Sequence, residues 1–138
     1  MRDTRLARMM HVLVHMHLLG GTETSETIAK MLNTNPVVVR RTMGLLKAKG
    51  LVGSIGGRSG GWRLEKPADA VTVRDVQEAL HDRSVFHIAI SGDHPNCPVE
   101  RTVNQLLQHA MAKAEATLLE QFGHVTVAEL ASAARGLG

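Results

Sequence analysis

The sequence contains little cysteine and few aromatic residues. One cysteine, Cys97, stands in 138 residues, so the chain can form neither an internal disulfide nor a zinc site made of cysteines. There is no tyrosine, and only two phenylalanines and one tryptophan, so the core must be built from aliphatic side chains and methionines. Apolar residues still make up 43% of the chain, which is enough to bury a core and excludes disorder throughout. At this length we expect one domain, or a small domain with an appended oligomerisation element.

Long hydrophobic runs are also missing. The first apolar run is interrupted by His11, His15 and His17, and it is too short to cross a bilayer. It lacks the pattern of a secretory signal, so we expect a soluble, cytoplasmic protein with no membrane partner. The net charge of +3 permits an anionic partner without proving one.

The N-terminal half has the pattern of three helices. Apolar residues recur every three or four positions from Arg5 to Leu19, and Gly20-Gly21 predicts the end of this helix. The hydroxyl groups of Thr22, Thr24 and Ser25 are then available to cap a short second helix. A third helix is predicted from Pro36, with Asn35 as its cap, to about Lys49.

A glycine-rich hairpin follows the third helix. Leu51 to Ile55 and Trp62 to Leu64 predict two strands, joined by glycines that tolerate positive φ. The order of helix, helix, short turn, helix and hairpin is that of a winged helix-turn-helix. Because the glycine-rich segment joins two strands, it does not have the context of a phosphate-binding loop. We find no paired carboxylates and no Ser-His-Asp set, so an enzyme is the weakest interpretation.

The third helix is basic and carries no acidic residue, which favours DNA as a partner. An arginine can bond the edge of guanine in the major groove, and a valine methyl group can contact the thymine methyl. At the hairpin tip, Arg58 stands between glycine pairs and suits the minor groove. The predicted DNA-binding residues are Thr24, Ser25, Val37, Arg40, Arg41, Lys47 and Arg58.

The C-terminal half predicts two more helices and a short ending. Residues 71–80 form a helix that Thr72 can cap, and residues 81–98 are the least regular stretch. Within that stretch, VFHIAI is compatible with a strand or with a helical turn. The longest helix runs from Val99 to Phe122, with an apolar stripe that must be buried somewhere. We expect only a helical turn or two after it.

Three segments resemble the Rrf2 (Rrf-two) family of bacterial winged-helix regulators, which includes the iron–sulfur cluster regulator and the nitric-oxide-sensitive repressor. They are Thr4-Arg5-Leu6, NTNPVVVRR and GLVGSIGGRSGGWRL, of which Gly60-Gly61-Trp62 is the most specific. The likeness covers nearly the whole chain. It implies a homodimer that binds an imperfect palindrome in double-stranded DNA, with the long helix crossing its partner.

The predicted architecture is mostly α with a small β-hairpin wing. It divides into a winged helix-turn-helix (residues 1–66), a linker helix with a cysteine-bearing sensor loop (67–98), and a long dimerisation helix with a C-terminal turn (99–138). Many family members hold an iron–sulfur cluster with three cysteines in the loop before the long helix. This chain has one, so it is more similar to the cluster-free branch, whose single loop cysteine is taken to be a redox or electrophile sensor. We expect no cofactor.

Four interpretations of Cys97 remain open. In the first, it is a thiol switch, whose reactive thiolate is stabilised by His94, Arg101 and the start of the long helix. In the second, it is a buried, inert residue. In the third, Cys97 and one or both of His11 and His15 from each subunit hold a two-iron cluster in a dimer; these histidines lie four residues apart on the first helix. In the fourth, Cys97 belongs to a metal or haem site with some of these histidines or His17.

The leading hypothesis is a sequence-specific transcription regulator, acting as a repressor and a homodimer, with input through Cys97. Family members often carry Glu and Gln where this chain has Arg40 and Arg41, so the operator is expected to differ from the usual family site. The alternatives are a cluster- or metal-dependent regulator that uses His11, His15 and Cys97, and a winged helix that docks proteins instead of DNA.

Overall fold

The computed structural model describes residues 4–56, 60–80 and 90–137. In chain order its regular elements are α1 (Arg5–Leu19), α2 (Ser25–Leu32), α3 (Pro36–Ala48), β1 (Val52–Ile55), β2 (Gly61–Leu64), a 3-10 turn (Ala68–Ala70), α4 (Val73–Leu80), α5 (Pro98–Gly123) and α6 (Val127–Leu137). The predicted fold class is confirmed: a mostly helical chain with an antiparallel hairpin and a long C-terminal helix. Arg58 and most of VFHIAI lie outside the described residues.

Side-chain caps fix where the short helices begin. The Thr24 hydroxyl accepts the N–H of Thr27 at 3.1 Å at the start of α2, and the Asn35 side chain accepts the N–H of Val38 at 3.1 Å at the start of α3. Gly50, with φ of 74°, follows α3 in the left-handed conformation that glycine favours. These helix limits agree with the predicted ones to within a residue or two.

A reciprocal cap opens α4. The N–H of Asp75 donates to the Thr72 hydroxyl, and the N–H of Thr72 donates to the Asp75 carboxylate, both at 3.0 Å. The predicted cap is therefore confirmed, but the helix starts at Val73, two residues later than expected. Val71 instead belongs to an extended segment that pairs with the chain after α5.

One aliphatic core joins the helices. Its fully buried residues come from α1, α2, α3, β1, α4 and α6, and they include Leu13, Ile28, Met43, Val76 and Val127. Val39, Met43 and Leu46, which recur at helical spacing, are the residues through which α3 packs on this core. The predicted apolar stripe of α1 is wrong at Leu19, which is 64% exposed at the end of the helix.

The C-terminal end is longer than predicted. Instead of a turn or two, α6 has 11 residues and packs mainly on α1. The extended residues before it pair with those before α4, since the N–H of Val73 donates to Val125 O and the N–H of Val127 donates to Val71 O, each at 2.9 Å. Val127 and Ala131 are buried. The core thus crosses the expected boundaries at residues 66 and 98, because α4 and α6 complete it.

The long helix α5 is the least covered element. It has no buried residue along its 26 positions. Three apolar residues of its predicted stripe are strongly exposed: Val99 at 70%, Val103 at 50% and Leu106 at 69%. None of the helices within the described ranges is long and apolar enough to cross a membrane.

Candidate nucleic-acid interface

The helix α3 buries one face and presents the opposite one. At about 3.6 residues per turn, Val37, Arg41 and Gly44 fall opposite the buried Val39 and Met43. Val37 is 57% exposed, Arg41 is exposed, and open space surrounds the position where a Gly44 side chain would begin. This outward face therefore combines an apolar residue, a guanidinium and a position that allows close approach.

Two cations lie on the edge of α3 that is turned toward α2 and the hairpin. Arg40 Nη1 is 3.8 Å from Glu26 Oε1, on the first turn of α2. Lys47 Nζ donates to the Ser54 hydroxyl of β1 at 2.8 Å. Arg41, by contrast, has no carboxylate partner within the part of the chain that the structure describes.

A cleft of about 340 Å³ separates this edge of α3 from the start of α2 and the base of the hairpin. Thr24, Glu26 and Arg40 line it, together with Gly60 and Gly61. The structure thus brings the predicted residue Thr24 next to Arg40. It also adds Glu26, which is not among the predicted residues. Its contact with Arg40 joins two helices, so the spacing of residues along one helix could not reveal it.

The predicted DNA-binding residue Ser25 has a different surrounding from its neighbour Thr24. Its side chain is buried, and its hydroxyl accepts the indole N–H of Trp62 at 2.9 Å. A hydroxyl used in this way holds the hairpin against α2 and is turned away from solvent. Ser25 also lines the cleft beside Arg40, and its contact with DNA stays a prediction.

Backbone pairing reinforces this attachment of the hairpin. Trp62 N–H donates to Glu23 O at 2.8 Å, and Glu23 N–H donates to Trp62 O at 3.0 Å. Gly61 lies so close to this pairing that a Cβ atom there would be 2.7 Å from Glu23 O. The absence of a side chain at Gly61 therefore lets the hairpin dock on the loop between α1 and α2.

Cys97 lies at the start of α5, in the position predicted for it. It is the N-cap residue, it is partly buried, and its side chain makes no capping hydrogen bond. Its N–H donates to His94 O at 2.9 Å, and its carbonyl accepts the N–H of Arg101 at 3.1 Å. His94 and Arg101, the two residues that are expected near the thiol, are therefore both hydrogen-bonded to the backbone of Cys97.

Side chains of α5 hold the described part of the cysteine loop. Glu100 Oε2 accepts the N–H of His94 at 2.8 Å. Asn104 accepts the N–H of Ser91 at 3.2 Å and donates to its carbonyl at 2.8 Å. The described part of the loop before Cys97 is therefore tied to the first two turns of α5.

Within the described residues of one chain, the histidines of α1 form no ligand set with Cys97. The rings of His11 and His15 lie with their centroids 4.8 Å apart and are tilted by 53° to each other. Across residues 4–56, 60–80 and 90–137, no three His, Cys, Asp or Glu side chains converge in a way that could hold a metal ion.

Comparisons with known proteins identify the family of this chain. The Rrf2 family model, described as "Iron-dependent Transcriptional regulator", matches residues 2–133. The chain belongs to the Rrf2 family. It is 34% identical over 107 residues to YwnA of Bacillus subtilis (strain 168), named as a candidate HTH-type transcriptional regulator, covering 78% of this chain and 79% of YwnA. The protein is thus a transcriptional regulator by family, and the predicted resemblance is confirmed.

Solved structures show the same fold. A candidate transcriptional regulator from Lactobacillus plantarum superposes with a TM-score of 0.78 at 16% identity, covering 94% of this chain and 88% of that one. CymR, the global cysteine regulator of B. subtilis, superposes with a TM-score of 0.68 at 21% identity, covering 96% of each chain. At these identities the likeness concerns the fold alone.

The iron named in the Rrf2 family description does not fit the donor set of a single chain. A cluster bound by cysteines needs several thiolates, and this chain has one. Within the described residues of one chain, the histidine pair of α1 forms no group with Cys97 that could hold a metal ion, and a cluster shared between two chains stays a prediction. No step of the function below depends on iron.

Proposed function

We propose that this regulator binds a specific sequence in double-stranded DNA through the outward face of α3. The observation that carries the proposal is the combination on that face of an exposed Val37, the open position at Gly44 and Arg41, which has no carboxylate partner among the described residues. A guanidinium can make two hydrogen bonds to guanine, and a valine methyl group can contact thymine. The hairpin and the start of α2 lie beside α3 and would follow it into contact with the duplex.

The test begins with a selection from a random library of 30-base-pair duplexes, because the operator is unknown. We expect the protein to enrich one imperfect palindrome, and its affinity for that duplex to fall steeply as salt increases. Recovery of no common sequence, or an affinity independent of salt, would contradict the proposal.

Replacing Arg41 by alanine is expected to weaken binding to the enriched duplex by about 1–3 kcal/mol and to relax the preference at one base pair. Arg74 supplies a matched control, because it is an exposed arginine of α4 that pairs with Glu78 on the same helix. Arg74→Ala should bind the duplex like the parent. The measurement is the affinity of both protein variants for the enriched duplex and for duplexes that differ from it at one base pair. Equal affinities for Arg41→Ala and Arg74→Ala would remove α3 as the reading helix.

We further propose that the regulator acts as a homodimer and represses by occupying its operator. The exposed stripe of Val99, Val103 and Leu106 supports a dimer, because an apolar helix face of this kind is normally covered. A twofold axis beside α5 would place two α3 helices on half-sites about 34 Å apart, one turn of the duplex. As a DNA-binding repressor, the protein would act in the cytoplasm and need no cofactor.

Input through Cys97 is the third part of the proposal. The thiol is partly buried and lies at the start of the proposed dimer helix, and the loop before it is bonded to Glu100 and Asn104. Oxidation to sulfenic acid or a mixed disulfide would enlarge the side chain there and displace the loop or α5.

We expect peroxide treatment to change the affinity of the parent for the enriched duplex at least several-fold, and to leave Cys97→Ser unchanged. Anisotropy titrations before and after oxidation, and again after a thiol reductant, give the measurement. The oxidised methionines of the parent provide an internal control, since thiol reductants do not reverse them. If both proteins respond alike, Cys97 is not the sensor.

A further inference from the structure

The carboxylate of Glu26 faces the proposed DNA-reading helix. It lies 3.8 Å from Arg40 Nη1, and the two side chains remain 67% and 54% exposed. Both line the cleft between α2, α3 and the hairpin, with Thr24 and Gly61. A carboxylate in this cleft is unexpected beside a surface that is proposed to bind a polyanion.

The stability of the fold accounts only partly for Glu26. The first turn of α2 favours a negative side chain because of the helix dipole. An ion pair between two exposed side chains, however, contributes little to stability. Neither effect explains why the carboxylate reaches Arg40 on the next helix.

The charge of Glu26 distinguishes the two DNA groups that Arg40 could bind. A phosphate oxygen entering the cleft beside Arg40 would also approach the Glu26 carboxylate, and the two anions would repel each other. The O6 and N7 atoms of guanine are neutral acceptors, so they experience no comparable repulsion. The guanidinium also has five N–H donors, so a contact with Glu26 leaves donors for a base.

We propose that Glu26 is a specificity-determining, positioning residue that keeps Arg40 from binding backbone phosphates and leaves it available to a base edge. This inference rests on the proposed function. It predicts that Glu26 lowers the affinity for unrelated DNA more than it changes the affinity for the operator. The ratio of these two affinities is the quantity that selects one site among many in a genome.

The experiment compares Glu26→Gln with Glu78→Gln. The control also removes a carboxylate from an exposed pair with arginine, since Glu78 Oε1 accepts from Arg74 Nε at 2.8 Å on α4. The probes are the enriched duplex and a scrambled 30-base-pair duplex, each titrated at several salt concentrations. Thermal unfolding of both variants shows that the fold is retained.

For Glu26→Gln we expect the affinity for the scrambled duplex to rise about 3- to 10-fold, and its salt dependence to steepen by about one phosphate contact. The affinity for the enriched duplex should stay within about 2-fold, so the specificity ratio falls. Glu78→Gln should change neither affinity. In an Arg40→Ala background, Glu26→Gln should lose most of its effect, because the proposed action passes through Arg40.

A specificity ratio for Glu26→Gln equal to that of Glu78→Gln would overturn the inference while leaving the proposed function intact. An undiminished effect in the Arg40→Ala background would also overturn it, since Glu26 would then act by general repulsion. If the parent enriches no sequence and binds without salt dependence, the proposed function itself fails and the inference fails with it.

Discussion

Replacing Leu106 by glutamate is expected to make the protein monomeric and to lower its affinity for the enriched duplex by a factor of 100 or more. Leu106 is 69% exposed on α5, so the substitution removes little from the core of one chain. In the proposed dimer the same position would be covered, and an unpaired carboxylate there would be costly to desolvate. Two linked half-site contacts bind more tightly than either alone by about 10²–10⁴.

Sedimentation velocity and titration of the enriched duplex test this prediction together. Gln108→Glu is the control, because it introduces the same charge at an exposed position two residues along α5, on the other side of the helix. Gln108→Glu should sediment and bind like the parent. A Leu106→Glu protein that remains dimeric would place the dimer interface elsewhere, and a monomeric parent would remove the proposed dimer altogether.

Replacing Gly61 by alanine is expected to destabilise the fold by about 1–3 kcal/mol and to detach the hairpin from α2. The new Cβ atom would be 2.7 Å from Glu23 O, and the obstructing atom belongs to the backbone, so it cannot rotate away as a side chain would. The backbone would have to move, and the two hydrogen bonds between Glu23 and Trp62 would lengthen or break. The Trp62 indole would then lose its bond to Ser25.

Tryptophan fluorescence reports this detachment directly, because Trp62 is the single tryptophan and its side chain is buried. We expect Gly61→Ala to shift its emission to longer wavelength before global unfolding, and to lower the urea midpoint. Gly56→Ala is the control in the same hairpin, since a Cβ atom there would meet nothing within 4 Å. Matching emission and midpoints for the two variants would show that the hairpin does not depend on close approach at Gly61.

Local signals in the sequence were sufficient for the helix-turn-helix. The caps at Thr24, Asn35 and Thr72 follow from short side chains that bond a backbone N–H three residues later. Such contacts involve neighbours along the chain, so the sequence displays them. The buried face of α3 follows equally from the spacing of its apolar residues.

Signals were missing where contacts join distant segments. The predicted ending after α5 is too short because the position of α6 depends on Val127 and Ala131, which enter a core supplied by distant helices such as α1 and α4. The sequence predicts Ser25 as a possible helix cap and as a DNA-binding residue. Only its contact with Trp62, 37 residues away, shows how it is used.

The sequence by itself determined the family, the order of the elements and the position of the lone thiol at the start of the long helix. Each of these depends on residue type and on spacing within a few turns. Tertiary structure alone decided that α6 completes the core, that Gly61 and Trp62 dock the hairpin, and that Glu26 meets Arg40. Those contacts form between separate elements when they pack side by side, and the spacing of residues along one element does not indicate which other element it will contact.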